Sequence, residues 1–270
     1  MAPMIREILR LEVVNTASGI ETVASGRMTN LEQLTLVLVR TRNPLNIGAV
    51  ARAMQNFGVR DLRLVTPFEA SFREARSAVG AGAVLGEARE FASVAEAVAD
   101  CRLVIGTTAA RRRELQQPLF GLDQAAAPVH GALAQGRVAL LFGSEKHGLT
   151  REDMEHCHWL LRIATEDAQP SMNLGQAVAV CLWELTRVTS APATETEARA
   201  ASGELERLGA LMLEVGAYTH PKTAATTEAE VRRMLRRLHV TDADTHLLMG
   251  MVRKLLWKLR HNDLSGSDTE

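Results

Sequence analysis

Three short segments carry side chains whose types and spacing could serve a binding or reaction site. In LVRTRNPLNIGAVARAMQNFG, Gly48 and Arg52 stand four residues apart, so on a helix they share a face, with Asn46 placed as its N-cap. The bare Gly48 leaves clearance one turn from the guanidinium. A ligand could approach the guanidinium there. In VALLFGSEKHGLT, Gly143 and Gly148 bracket Ser144 and Glu145, and Thr150 with Asp153 forms a capping-box pair for a following helix. In IATEDAQPSMNLGQAVAVCLWEL, Ser171 and Asn173 offer a hydroxyl and an amide at a helix entrance, where backbone N–H groups also point outward. Each segment has an ordinary structural counterpart: a surface arginine, a plain strand-to-helix connection and a pair of helix caps.

Chemistry at these positions needs elements that hold them. From Leu34 onward, short β-rich runs alternate with helical periods: LTLVLV, LRLV, LVIG, VALLFG and WLLRI, with a closing helix from Leu174 to about Val188. Runs that are apolar along their whole length are buried on both faces, which predicts an α/β domain with a parallel sheet flanked by helices. All three polar segments then leave carboxyl ends of strands, where open α/β sheets bind ligands. Residues 1–30 read as a loosely ordered arm with a short helix around Met4 to Val13, and residues 31–190 as the α/β domain. Residues 191–203, rich in Ala, Thr, Ser and Glu, read as a linker, and 204–270 as a small all-α domain. Its three helices follow the repeats of Leu205, Leu208, Leu211, Met212 and Val215, of Val231, Leu235 and Leu238, and of Leu247, Leu248, Met251, Leu255 and Leu259. Gly216 is the expected end of the first, and Thr241 or Asp242 the cap of the third.

Composition narrows the class. The 270 residues are 46% hydrophobic and 23% charged, as in a soluble globular protein, and no apolar run approaches the roughly 20 residues of a membrane span. A cytoplasmic protein without membrane attachment or export is expected. Cys101, Cys157 and Cys181 are too far apart for a disulfide framework or a zinc knuckle, and His147, His156 and His158 follow no metal-ligand spacing, so no metal is expected. Gly80, Gly82 and Gly86 follow no strand, which removes the context a dinucleotide fingerprint requires. Trp159, Trp183 and Trp257 read as packing residues, because aromatic residues are only 4% of the chain. The net charge of −1 conceals a basic C-terminal end: Lys222 to Arg260 holds nine Lys/Arg against four Asp/Glu, either a phosphate footprint or a solvated helix face.

Taken together and in this order, the three segments resemble motifs 1, 2 and 3 of the SpoU/TrmH branch of the SPOUT methyltransferases. The matching positions are Asn46, Gly48 and Arg52, then Gly143, Glu145 and Gly148, then Ser171, Met172, Asn173 and Leu174. The resemblance covers about Leu34 to Val188. IGTTAARRR and the C-terminal LRRLHVTDADTHLLMGMVRKLLWKL are similar to the TrmJ-like subgroup, from which the long N-terminal arm and Met172, in place of Leu, depart. The resemblance implies a trefoil knot in the C-terminal part of the α/β domain, a homodimer and S-adenosylmethionine as cofactor. The cofactor would be held around Thr107, Gly143, Ser144, Gly148, Ile163 and Met172, with Asn46, Arg52, Glu145, Ser171 and Asn173 shaping the reaction site. The implied reaction is 2′-O-methylation of a ribose in tRNA, at a cytidine or uridine of the anticodon loop near position 32. Arg111, Arg112, Arg113, Arg233 and Arg237 would contact RNA phosphates. Methylation of a ribosomal RNA ribose, methylation of a base, and a catalytically idle RNA-binding module remain as alternatives, of which retention of Arg52 and of the motif glycines disfavours the last.

Overall fold

The computed structural model describes residues 31–68, 82–109, 115–187, 198–219 and 224–265. Strands β1 (Leu34–Val39), β2 (Asp61–Val65), β3 (Arg89–Phe91), β4 (Leu103–Thr107), β5 (Leu119–Gly121), β6 (Val138–Phe142) and β7 (Trp159–Arg162) form one sheet in the order β3-β2-β1-β6-β4-β7-β5. Every pairing in it is parallel. The helices of this part are α1 (Pro44–Asn56), α2 (Gly82–Gly86), α3 (Val94–Ala97), α4 (Leu122–Gln135), α5 (Arg151–Glu155) and α6 (Leu174–Arg187).

Burial explains why the strands read as unbroken apolar runs. All six residues of β1 are buried, and its pleat sends Leu34, Leu36 and Leu38 into one core and Val37 and Val39 into another. The first core also takes Ile47, Val50 and Met54 of α1 and Val178, Cys181 and Leu182 of α6. The second takes Val104, Leu141, Leu149 and Leu160. Short β3 and β5 were invisible to the periodicity argument, because each contributes three residues, none of them fully buried. The chain enters β6 between β1 and β4, and β7 between β4 and β5, so the ends of β4, β6 and β7 lie side by side. Register sets Leu38 beside Phe142, Gly106 beside Leu141, and Thr107 beside Leu161.

Three further helices, α7 (Ser202–Thr219), α8 (Ala224–Arg237) and α9 (Asp242–Ser265), pack on one another through Leu208, Leu235 and Met249. They are tied to the α/β part by polar contacts. The Ser202 amide and hydroxyl both donate to the Cys101 carbonyl at 2.8 Å, and the Gly203 amide donates to the Ala99 carbonyl at 2.8 Å. Gly216 does not end α7, which continues through it to Thr219. Thr241 caps α9 as expected, its hydroxyl accepting from the Asp244 amide at 3.2 Å. The buried stripe of α9 is Thr245, Met249 and Leu256, whereas Leu247, Met251 and Leu255 are exposed. Both stripes have helical spacing, so periodicity alone could not tell inside from outside. Trp183 and Trp257 are likewise more than half exposed, and Trp257 stacks on His261 rather than in a core.

At the amino ends of the strands lies a charge network. Arg63, 1% exposed in the middle of β2, donates to Asp61 at 2.7 Å and to Asp100 at 2.5 Å. Arg137 reaches both carboxylates as well, Asp61 at 2.8 Å and Asp100 at 3.1 Å. Burial alone would raise the pKa of either carboxyl, but the guanidinium hydrogen bonds and charge outweigh it and hold both below the usual carboxylate range. No helix among the described residues is long and apolar enough to cross a membrane. Cys101, Cys157 and Cys181 are buried thiols, and burial pushes Cys157 and Cys181 up to about 12.

Removing Arg63 strands two carboxylates, so Arg63→Ala is expected to lower the unfolding free energy by about 3 kcal/mol or more in urea denaturation. Carboxyl pKa values depressed by folding stabilise above the unfolded value near 4 and lose that contribution as pH falls through the folded value. The wild-type urea midpoint should therefore drop below about pH 4, and by less in Arg63→Ala.

Candidate active site

The three motif segments converge on a cavity of about 820 Å³ at the carboxyl ends of β4, β6 and β7. Thr107, Gly143, Ser144, Gly148, Ile163 and Met172 line it, together with Asn46, Glu145, Ser171 and Asn173. Arg52 does not. It is exposed on α1, six residues beyond Asn46, and no contact of its side chain with the cavity is seen. Arg111, Arg112 and Arg113 lie outside the described residues.

Local structure explains how each motif is delivered. Asn46 is not the helix cap. Asn43 takes that place, its side chain accepting from the Leu45 amide at 2.9 Å, with Pro44 in the first turn where its missing N–H costs nothing. Asn46 is thereby freed inside the first turn, buried and facing the sheet ends. Its Nδ2 donates to Glu145 at 3.0 Å, and its Oδ1 accepts from Asn173 Nδ2 at 2.9 Å. Asn173 in turn accepts from the Gly175 amide at 3.0 Å, so it both caps α6 and joins the chain of contacts. One amide thus links all three segments.

Glu145 closes the other end of this chain by accepting the backbone N–H groups of Asn43 at 3.1 Å and Arg42 at 3.3 Å. Partial burial pushes its carboxyl up, but the Asn46 amide and the backbone N–H groups favour the ionised form more strongly, and the net shift is downward. With its oxygens committed to three N–H donors, Glu145 fixes the loop and is a weak proton acceptor. Sequence reasoning missed the Arg42 and Asn43 amides because backbone donors have no signature in residue type.

The second segment is shaped by glycine. Gly148 has φ +67°, and its amide donates back to the Ser144 carbonyl at 2.8 Å. A Cβ on Gly143 would lie 1.9 Å from the Gly148 carbonyl carbon and 2.1 Å from the Leu149 nitrogen, so the turn closes on itself only without one. Thr150 and Asp153 then start α5 with the reciprocal capping bonds read from the sequence, at 3.2 and 2.7 Å. Thr107 spends its hydroxyl on the Leu141 carbonyl at 2.8 Å, locking β4 to β6 beside the cavity. Gly48 has nothing within 4 Å of where a Cβ would stand, which leaves the expected clearance on α1. Close packing appears elsewhere: a Cβ on Gly175 would lie 2.6 Å from that of Ala49, so α6 presses on α1 just where Asn173 and Asn46 meet. Among the described residues no group of three His, Cys, Asp or Glu is arranged to hold a metal.

The candidate RNA contacts are divided. Arg233 is turned toward Glu155, 3.8 Å away, whereas Arg237 is exposed. Much of the C-terminal positive charge is spent internally, since Arg232 pairs with Glu155, Glu206 and Glu228 and Arg236 with Glu206.

A parallel sheet whose strand ends cradle a cavity through these motifs is the architecture of a methylase. Residues 33–183 match the SpoU rRNA Methylase family, and the chain belongs to it. A tRNA (cytidine/uridine-2′-O-)-methyltransferase TrmJ from Cronobacter sakazakii is 31% identical over 238 residues, spanning 83% of this chain and 96% of that one. The crystal structure of TrmJ from Z. mobilis ZM4 superposes with a TM-score of 0.70 at 33% identity, covering 82% of this chain and 98% of the other. A probable methylase family protein from Haemophilus influenzae Rd KW20 superposes at 0.51 with 28% identity, covering 86% and 99%.

Two substitutions test the geometry. Gly143→Ala forces backbone apart at the turn and is expected to cost about 1–3 kcal/mol in thermal unfolding, with the far-ultraviolet circular dichroism retained. Asn46→Asp replaces the donor facing Glu145 by a second carboxylate, and its Tm should recover as pH is lowered toward 4; a Tm equal to wild type across pH 4–8 would refute the amide link.

Proposed function

We propose that this chain transfers a methyl group from S-adenosylmethionine to the ribose 2′-hydroxyl of a cytidine or uridine in tRNA, in the anticodon loop. The observation that carries the reading is the Asn173–Asn46–Glu145 hydrogen-bond chain at the edge of the strand-end cavity. The names of the relatives that span nearly their whole length on this chain support the RNA and the sugar atom.

The cavity fits the cofactor. Its volume lies within the roughly 300–1,000 Å³ of small-molecule sites, and it sets apolar Leu161, Ile163 and Leu174 beside polar Ser144 and Thr165. Gly143, Ser144 and Gly148 would hold it from one side, Thr107 from the sheet, and Ile163 and Met172 from the loop before α6. When bound, S-adenosylmethionine supplies a methyl group on a sulfonium. The protein's task is positioning: Asn46 and Asn173 hold the two loops at a fixed separation, so that the hydroxyl oxygen can lie in line with the methyl carbon. Glu145 keeps that frame and does not take the proton. Arg52, exposed on α1 outside the cavity lining, clamps the target phosphate from there, as an obligate cation can. Ser171, exposed at the cavity rim, contacts the incoming nucleotide.

Two chains pair through the α1–α6 side, where Leu45, Val180 and Trp183 are exposed although these helices pack tightly on each other. The crossovers that insert β6 and β7 between earlier strands are of the kind a C-terminal trefoil knot requires, and α7 to α9 act as a separate helical domain. Arg111, Arg112, Arg113 and Arg237 supply phosphate contacts that locate the RNA without reading its sequence, whereas Arg233, turned toward Glu155, is left out of that set.

Methyl transfer from labelled cofactor to unmodified tRNA, with the modified nucleotide mapped by mass spectrometry, tests the reading; methylation of ribosomal RNA alone, or of a base, would overturn it. Arg52→Ala is expected to reduce turnover by about 100-fold or more while calorimetry shows unchanged cofactor affinity.

A further inference from the structure

A second cavity, of about 230 Å³, lies beside the amino end of β7, at the junction with the C-terminal helices. β7 runs between the two cavities: His158 and Trp159 face this one, while Leu161 and Ile163 line the one described above, roughly 13 Å along the strand. Its polar walls are His158, Arg199, Arg236 and Arg237, and its apolar walls include Phe120 and Trp159, which meet edge to face at 5.0 Å. No carboxylate is among the described residues that line it.

Two of its lining residues carry a buried donor without a partner among the described residues. The Val104 amide donates to His158 Nδ1 at 3.1 Å, so the ring proton resides on Nε2. That Nε2 is buried and makes no hydrogen bond among the described residues. Burial, reinforced by the nearby arginine charges, holds His158 neutral, with its pKa well below the ordinary value. Arg236, 3% exposed, donates through Nε to the Glu155 carbonyl at 3.0 Å and through Nη2 to Glu206 at 2.5 Å, while Nη1 has no partner among the described residues. Arg199 donates to the Leu238 carbonyl at 3.0 Å. Leaving a buried donor unmade costs about 1–3 kcal/mol, more for a charged one. Water could accept these hydrogen bonds, yet it would bring no counter-charge for Arg199 and Arg237 beside a space several times a water's share of about 30 Å³.

We infer that this cavity is a binding site for a phosphate group, received by the unpartnered His158 Nε2–H and Arg236 Nη1 with Arg199 and Arg237 beside them. A tetrahedral oxyanion presents acceptors in several directions at once, as donors from three separate segments require, and guanidinium groups match it in charge and geometry. The group is either free, as inorganic phosphate or a small phosphate ester, or part of an RNA backbone. None of these residues lines the first cavity, so failure of phosphate uptake leaves the methyl-transfer reading standing; only Arg237 is shared with the RNA contacts proposed above.

The test is calorimetric titration of the full chain with inorganic phosphate at constant ionic strength in chloride. Uptake of one phosphate per chain is expected. Arg237→Gln should weaken it about tenfold. His158→Asn, which keeps an acceptor for the Val104 amide and deletes the Nε2–H, should weaken it at least as much. Absence of uptake by the wild type overturns the site, as does wild-type affinity in Arg237→Gln, the variant at an exposed position that leaves the fold untouched. Repeating the titration with saturating tRNA separates the two sources: displacement of phosphate identifies an RNA phosphate as the occupant, and undiminished uptake identifies a free one.

Discussion

The structure depends on a side-chain amide with a different partner on each end. Asn46 donates to a carboxylate and accepts from another amide through two separate atoms, which a single hydroxyl of similar size could not place toward both partners. The partners also fix its orientation, since ionised Glu145 can only accept, so the nitrogen of Asn46 must face it. Because Glu145 leads back to the amides of Arg42 and Asn43, the contacts form a closed loop: the turn after β1 holds Glu145, Glu145 holds Asn46, and Asn46 belongs to the helix that follows that same turn. The loop closes only because Asn43 has taken over capping α1 and left Asn46 free. A buried polar chain of this kind is satisfied in one arrangement and costly in any other, which is what a preorganised site needs.

The two ends of the sheet divide the work. At the amino ends Arg63, Arg137, Asp61 and Asp100 neutralise one another across β2, β6 and the α3–β4 connection, a cluster that binds strands together and leaves no charge to spare. At the carboxyl ends few ion pairs intrude, and the strands finish in glycine-bracketed turns and caps. The same parallel arrangement that aligns all carboxyl ends on one edge thus concentrates the ligand-facing groups there and leaves the opposite edge for stability.

Much of this was legible in the residues. Continuous apolar runs gave the five longer strands because burial on both faces leaves no polar alternation, and the capping pair Thr150–Asp153 was visible because it is local. What was not legible depended on partners distant in sequence. Asn43 and Asn46 are chemically identical, and only Glu145, about a hundred residues away, distinguishes the cap from the bridge. The apolar stripes of α9 are equally periodic, and which one is buried depends on where α7 and α8 lie. Arg63 interrupts an apolar strand with no local hint that Asp100 waits beside it. Asn46, Gly143, Glu145, Gly148, Ser171, Met172 and Asn173 line one cavity, while Gly48 and Arg52, from the same segment as Asn46, lie outside its lining, since a helix turns its positions away from one another every residue.

Charge counted along the chain overstates what the C-terminal helices offer to RNA. Arg232, Arg233 and Arg236 lie on one side of α8, toward Glu155 and Glu206, where they serve to seat that helix on α5 and α7. Glu206 shows the strength of that seat: burial alone would raise its carboxyl, yet His156 and the guanidinium groups of Arg236 and Arg232 bring it down to about 2. These ion pairs tie α8 to α5 and α7, so its basic side is spent on packing and does not form a loosely attached basic tail. Among the described residues, what the surface of α8 and α9 offers an external anion, beyond the lining of the second cavity to which Arg237 at the end of α8 belongs, is the exposed charge of Arg253, Lys254 and Lys258 on α9. A phosphate footprint built from these is sparse and directional, so that geometry, more than the sum of charge, governs where a polyanion can lie on this protein.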